Sequence, residues 1–190
     1  MHYHGSIKKI VERPLIGRAA GVTESDPILK RIYLARGIKS DAELARGLAQ
    51  LPSPWLLTGM EEMVTYLIAA IEQQKKIVIV ADFDADGATS CTVAMKGLAL
   101  LGAENVDFIV PNRFEYGYGL TPEIVVLVIE KQADVLITVD NGISSIDGVA
   151  AAKAAGIQVL VTDHHLPGEQ LPDADAIVNP NLMGDDFPSR

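Results

Sequence analysis

The chain has 190 residues, 48% of them apolar and 22% charged, which is typical of a soluble globular protein with one sizeable core. No apolar run approaches the roughly 20 residues of a membrane-spanning helix, and residues 1–17 lack the apolar stretch of a signal peptide. The single cysteine, Cys91, excludes an internal disulfide and favours a reducing compartment, so we expect a cytoplasmic protein and a structural, buried cysteine. The net charge of −9 argues against a broad basic face for nucleic acid, although carboxylates gathered in a metal site would account for part of it.

The order of apolar runs predicts an α/β fold. Residues 1–60 indicate a small helical N-terminal segment, which the Pro-rich stretch LPSPW (51–55) separates from a main domain of residues 61–190. In that domain we predict helices at 61–74, 88–102, 121–132 and 144–156, and strands at 76–81, 106–110, 134–139, 157–162 and from about 175, with a loop at 111–119. Short apolar strands that alternate with helices predict βαβ units, and hence a parallel sheet with helices on both faces.

Polar side chains follow three of the predicted strands at the point where each strand ends. The stretches are IVIVADFDADG, VLITVDNG and VLVTDHH, which supply Asp82, Asp84 and Asp86; Asp140 and Asn141; and Asp163, His164 and His165. Because the carboxyl ends of parallel strands lie along one edge of a sheet, we expect the three groups to converge there.

The converging groups favour a divalent metal centre. Carboxylate oxygens with one or two imidazoles suit Mn²⁺ or Mg²⁺ better than a thiolate-seeking metal. More than three carboxylates in one crevice indicate two ions that share a bridging Asp, and two ions about 3.5–4 Å apart can activate a water and stabilise a leaving oxygen. The chemistry that follows is metal-dependent hydrolysis of a phosphoester or phosphoanhydride.

Each group also has a simpler interpretation. Taken alone, Asp140 is better explained as a helix N-cap, and a lone His pair is more often a supporting or surface feature than a ligand. DFDADG matches the opening of an EF-hand calcium loop, but a strand precedes it and the twelfth position is Val93 rather than Glu. A phosphatase that begins with D-x-D after a strand would carry Thr where this chain has Asp86. Only the shared placement at strand ends favours the metal centre.

The motifs DFDADG, TVDNGISS and VTDHHLPG, in that order, resemble the first three motifs of the DHH phosphoesterase superfamily. With the loop VPNRFEYGYGLTPE and the later AIVNPNL, the chain is similar from about residue 34 onward to the single-stranded-DNA-specific exonucleases of that superfamily. The resemblance implies removal of nucleotides from single-stranded DNA in the 5′ to 3′ direction with two Mg²⁺ or Mn²⁺ ions, in repair and recombination. It also implies single-stranded DNA as a partner, with a single-strand-binding protein and a RecQ-type helicase as candidate protein partners.

The resemblance assigns a role to each residue that matches a motif. Five residues fall where metal ligands are expected: Asp82, Asp84, Asp86, Asp140 as the bridging ligand, and His164. Asp163 would orient an imidazole, and His165 would lie near the scissile phosphate. Asn112 and Arg113 would contact phosphate oxygens, although pairing of Arg113 with Glu115 explains that arginine equally well.

The resemblance also has two departures. The related loop usually carries an acidic residue where this chain has Tyr116. A fourth motif, another strand-end Asp, is expected beyond residue 190, so we expect the N-terminal part of a longer enzyme with little or no activity alone. A DHH phosphoesterase for short oligonucleotides, cyclic dinucleotides or pyrophosphate and an inactive metal-binding fragment are the alternatives.

Overall fold

A computed structural model of the chain describes residue 11 and residues 21–45, 47, 49, 51–185 and 187–188. The chain divides into two compact units, Met1–Leu51 and Pro52–Arg190. Part of the helical segment predicted for residues 1–60 therefore lies outside the described residues. In the first unit, helix α1 (Pro27–Ala35) begins after Asp26, whose carboxylate accepts from the N–H groups of the first turn, and a 3₁₀ helix covers Asp41–Leu44.

The second unit contains a five-stranded parallel sheet, which confirms the predicted α/β fold. After a 3₁₀ turn at Pro54–Leu56, its elements in chain order are α2 (Met60–Glu72), β1 (Ile77–Ala81), α3 (Ala85–Leu100), β2 (Val106–Ile109), α4 (Arg113–Tyr116), α5 (Pro122–Glu130), β3 (Val135–Val139), α6 (Ile146–Ala154), β4 (Gln158–Thr162) and β5 (Ala176–Val178). The strand order is β2-β1-β3-β4-β5, and every neighbouring pair is parallel. Among the described helices, none combines the length and apolar character that a bilayer-spanning helix needs.

Both faces of the sheet are covered by helices. Alternate strand residues such as Ile77 and Ile79 pack with α2 and α3 on one face, where Cys91 lies buried as expected. The intervening residues, such as Val78 and Val80, pack with α5 and α6 on the other face. Burial on both faces explains why β1 is continuously apolar and β3 nearly so, rather than alternating between apolar and polar residues.

Two of the differences from the predicted element boundaries concern the site. Helix α3 begins at Ala85 rather than residue 88 because the Asp84 side chain caps it, accepting from Gly87 N at 3.0 Å. Asp86 is therefore part of the first helical turn. The predicted loop 111–119 contains the one-turn helix α4, which Asn112 caps by accepting from Phe114 N at 3.1 Å.

The strand order determines where the site lies. Strands β1 and β3 are neighbours in the sheet, although β2 and three helices separate them in the chain. The connection after β1 carries α3 on one face and the connection after β3 carries α6 on the other. Such a switch point leaves a crevice at the carboxyl ends of the two strands, where ligands of open α/β sheets bind.

Candidate metal centre

Two groups of possible ligands meet at the carboxyl edge of the sheet. The first is Asp82, Asp84 and Asp140, and the second is Asp140, His164 and His165. Within each group, one ligand atom from every residue lies within 4.8 Å of the others. Asp140 belongs to both groups, which is the property that a bridging ligand requires.

The turn from β1 into α3 sets the positions of Asp82 and Asp84. Asp82 Oδ1 accepts from the N–H of Phe83 at 2.7 Å, and Asp84 is fixed by its capping bond. The hydrogen bond from Gly87 N is the main reason that the pKa of Asp84 is lowered, and Arg113 lowers it further. A Cβ on Gly87 would lie 2.1 Å from the backbone oxygen of Asp82, so the turn is tight enough to require glycine here.

Asp140 directly follows β3 and lies in the left-handed region, with φ of 62°. Its N–H donates to Thr162 O at 3.1 Å, and its Oδ1 lies 2.9 Å from His164 Nε2. Burial is the main cause of its raised pKa; the hydrogen bond to His164 opposes that shift and repulsion from Asp84 adds to it. The N-cap interpretation of Asp140 is wrong, because α6 begins at Ile146 with Ser145 at the N-cap. A non-glycine residue in this strained conformation is typical of functional sites.

Asp163 is surrounded by hydrogen-bond donors. Its Oδ1 accepts from His164 N at 2.7 Å, His165 N at 3.0 Å and His165 Nδ1 at 2.7 Å, and its Oδ2 accepts from Ile143 N at 2.9 Å. Its side chain is only 1% exposed. The bond from His165 is the main reason that the pKa of that imidazole is raised. Asp163 therefore holds the imidazole and the β3–α6 loop in place.

Arg113 reaches the acidic cluster from α4. Its Nη2 donates to Asp82 Oδ1 at 2.8 Å and lies 3.4 Å from Asp84 Oδ2, and the guanidinium lies 4.7 Å from the centre of the Tyr118 ring. Hydrogen bonding to Asp82 is the main cause of its raised pKa. The interpretation that Arg113 pairs with Glu115 is wrong.

Asn112 and Asp86, like Asp163 and Arg113, are predicted site residues that lie outside the two ligand groups. The Asn112 side chain is engaged within α4, where its amide nitrogen also donates to Glu115 Oε1 at 3.3 Å. Asp86 lines a cavity of about 450 Å³ together with Asp140 and His164. Among the described residues, its carboxylate belongs to neither three-residue group.

Two further residues support the site: Asn141, which the sequence placed only among the converging strand-end polar residues, and Tyr118, to which it assigned no role. Asn141 lies beneath the crevice, and its Nδ2 donates to Val80 O at 3.0 Å and Val139 O at 2.9 Å, joining the ends of β1 and β3. Tyr118 supports the Arg113 guanidinium. In the sequence, the only signals for these supporting roles were the adjacency of Asn141 to Asp140 and the aromatic character of Tyr118 within the predicted loop.

These residues lie within the match to a protein-family model. The model describes the DHH family, N-terminal domain, and it matches residues 76–186. The chain belongs to the DHH family. DHH-family members in the curated proteins include the single-stranded-DNA-specific exonuclease RecJ of Haemophilus influenzae, which is 52% identical over 97% of this chain. RecJ of Escherichia coli is 49% identical over 88% of it, and RecJ of Thermus thermophilus 38% over 85%.

The DHH chain is also similar to solved RecJ structures. An exonuclease RecJ bound to manganese aligns with a TM-score of 0.64 at 39% identity, over 73% of this chain and 34% of that one. RecJ from Thermus thermophilus in complex with Mn²⁺ aligns with a TM-score of 0.64 at 34% identity, over 83% of this chain and 22% of that one. The chain spans 32% of the Haemophilus influenzae relative and 29% of the Escherichia coli one.

The donor set of this DHH chain fits a hard divalent cation. Three carboxylates within 4.8 Å of one another repel unless a positive charge offsets them, and Arg113 supplies only one such charge. Oxygen donors with one or two imidazoles are the set that Mn²⁺ and Mg²⁺ accept, whereas Cys91, the sole thiol, is buried in α3. Asp82, Asp84, Asp140, His164 and His165 are thus positioned to hold such a cation.

Proposed function

We propose that the chain provides the metal-binding part of a RecJ-like exonuclease that removes nucleotides from single-stranded DNA in the 5′ to 3′ direction. One observation supports this above the others: Asp140, at the switch point of the sheet, belongs to both ligand groups of a DHH-family chain. A shared carboxylate between two ligand groups is what a two-ion phosphodiesterase needs.

In this proposal, Asp82, Asp84 and Asp140 would hold one ion, and Asp140 with His164 would hold the second. Asp86 remains a proposed ligand, since it lines the cavity beside Asp140. When bound, a pair of Mg²⁺ or Mn²⁺ ions supplies an acidified water and positive charge for the leaving oxygen.

The remaining residues act on the phosphate and its position. Arg113 carries a fixed positive charge 2.8 Å from Asp82 and is placed to attract a phosphate oxygen. His165, with its pKa raised by Asp163, holds a proton more often near neutral pH than a free imidazole does. Asp163 keeps that imidazole oriented, and Asn112 contributes by capping the helix that carries Arg113.

The substrate, the direction and the partners are proposed from the similarity to RecJ. Relatives that are named for activity on single-stranded DNA cover nearly the whole chain at about 50% identity. We therefore propose single-stranded DNA as substrate and a cytoplasmic location, and a single-strand-binding protein and a RecQ-type helicase as protein partners. In this proposal the helical segment of residues 1–60 precedes a DHH domain that begins at residue 61.

The test uses the protein at its full encoded length, supplied with Mn²⁺ and a 5′-labelled single strand. Asp140→Ala should abolish release of labelled nucleotide, while Glu104→Ala should leave it unchanged. Glu104 is an exposed acid that precedes β2, at the opposite edge of the sheet. Faster turnover of a dinucleotide than of the long strand would favour a small-molecule phosphoesterase, and full activity of Asp140→Ala would refute the two-ion assignment.

A further inference from the structure

The side chain of Asn141 contains a buried polar atom that lacks a partner. The residue is 6% exposed, and its Oδ1 accepts no hydrogen bond from any described residue. Its Nδ2 is bound to two carbonyl oxygens, those of Val80 and Val139. Because a flipped amide would place Oδ1 against both carbonyls, these two bonds fix which atom is oxygen. A buried acceptor that is held rigidly without a donor calls for a ligand.

The surroundings of Asn141 indicate what that ligand is. Asn141 and Asp82 together line two cavities, one of about 260 Å³ that also contains Asp140 and His165, and one of about 10 Å³. The smaller cavity is closed by Pro111, Gly117 and Gly119 of the loop that carries Arg113. Its volume is close to the minimum that one water molecule occupies.

Hydrogen-bond chemistry narrows the ligand further. Asp82 Oδ1 already accepts from Phe83 N and Arg113, and within the described part of the chain its Oδ2 has no hydrogen bond. Asn141 Oδ1 and Asp82 Oδ2 are both acceptors, so a single group that joins them must carry two donor hydrogens. A water molecule meets that requirement and fits the small cavity.

We propose that Asn141 holds an ordered water between its Oδ1 and the carboxylate of Asp82. Asn141 is then a positioning residue that fixes the orientation of a metal-ligating carboxylate through the water. Partners that hydrogen-bond to ligating groups in this way usually change metal affinity about 10- to 100-fold when they are removed. Only the identity of the cation rests on the proposed function; the water site itself does not.

High-resolution crystal structures of the chain, with chelator and with Mn²⁺, test the proposal directly. We expect a water about 2.7–3.2 Å from Asn141 Oδ1 in both. An Oδ1 without a partner, a flipped amide, or Mn²⁺ bound directly to Oδ1 would each overturn the proposal. If no Mn²⁺ binds the parent chain, the proposed function fails, while the chelated structure still decides the water site.

Metal affinity provides a second test. Asn141→Leu should raise the dissociation constant for Mn²⁺, measured by electron paramagnetic resonance, about 10-fold or more. Asn105→Leu is the matched control, because Asn105 also donates to a backbone carbonyl, Gln74 O at 3.0 Å, but lies before β2 at the far edge. Unchanged Mn²⁺ affinity in a folded Asn141→Leu protein would refute the positioning role. If that variant does not fold, the parent structures decide.

Discussion

Replacement of Asp140 with Asn should make the metal-free chain more stable and the metal-loaded chain less stable. In the absence of a cation, the 6%-exposed Asp140 carboxylate is buried beside other carboxylates, which raises its pKa. Asn has nearly the same shape, tolerates the left-handed φ of 62° and can still bond to His164. The substitution therefore removes the charge without disturbing the backbone.

The size of the effect follows from the geometry. Two carboxylates within 4.8 Å of each other repel by at least about 3.5 kcal/mol at an effective dielectric constant of about 20. The positive charge of Arg113 offsets much of this repulsion at Asp82. The variant also weakens the charge-assisted hydrogen bond between residue 140 and half-exposed His164, which reduces the gain. We therefore expect a net gain of about 1–2 kcal/mol in the free energy of unfolding, well below the full repulsion. For a chain of this length the gain corresponds to a rise of about 2–8 °C in Tm.

Thermal unfolding followed by circular dichroism, in chelator and with Mn²⁺, measures both effects. A cation at about 100 times its dissociation constant should stabilise the parent by about 2.7 kcal/mol and the variant far less, so the order of the Tm values should reverse. Because burial raises the pKa of Asp140 in the folded state, its ionised carboxylate destabilises the fold fully above that pKa, and this destabilisation disappears as the pH falls. The Tm difference between Asp140→Asn and the parent in chelator should therefore shrink in acid. Asp134→Asn, at the opposite end of β3, is the control and should show no gain. A lower Tm for Asp140→Asn in chelator would refute the reasoning.

Three further outcomes are expected. The pKa of His165, followed by NMR in chelator, should lie above 6.5 and should fall in Asp163→Asn. In the parent, the protonated imidazole should stabilise the fold fully below pH 6.5, and this stabilisation should be lost as the pH rises through the folded-state pKa. An unshifted pKa of His165 would contradict this. In urea unfolding, Gly87→Ala should destabilise the chain by more than 1 kcal/mol, because its Cβ would meet a backbone oxygen. Gly97→Ala in the same helix, where the Cβ meets nothing, should stabilise the chain by up to about 1 kcal/mol. Equal effects of the two substitutions would refute the steric argument. Arg113→Gln should tighten Mn²⁺ binding, measured by calorimetry, because it removes a cation from the acidic cluster. The same substitution should slow the digestion of single-stranded DNA by the full-length protein. Weaker Mn²⁺ binding would contradict the role of Arg113 as a counter-charge.

The residues of the crevice differ in how far sequence could predict their placement. Asp82, Asp140 and Asp163 follow apolar strands, and all parallel strands end along one edge, so their convergence needed no knowledge of strand order. The placement of Asp86 and Asn112 depends on the residues at which α3 and α4 begin. A cap at Asp84 extended α3 by three residues, and α4 formed within a predicted loop. Helix ends of this kind depend on single hydrogen bonds that periodicity does not report.

The sequence by itself determined the α/β class, the two-sided burial of the central strands and the family-like order of the three acidic motifs. These properties follow from the spacing of apolar and polar residues along the chain, which every compact arrangement of the elements must satisfy. The tertiary structure alone decided that Arg113 pairs with Asp82, that Asp140 is shared by two ligand groups, and that Asn141 joins β1 to β3. Each of these contacts joins segments at least 24 residues apart, and their distances depend on the strand order β2-β1-β3-β4-β5 rather than on any local pattern.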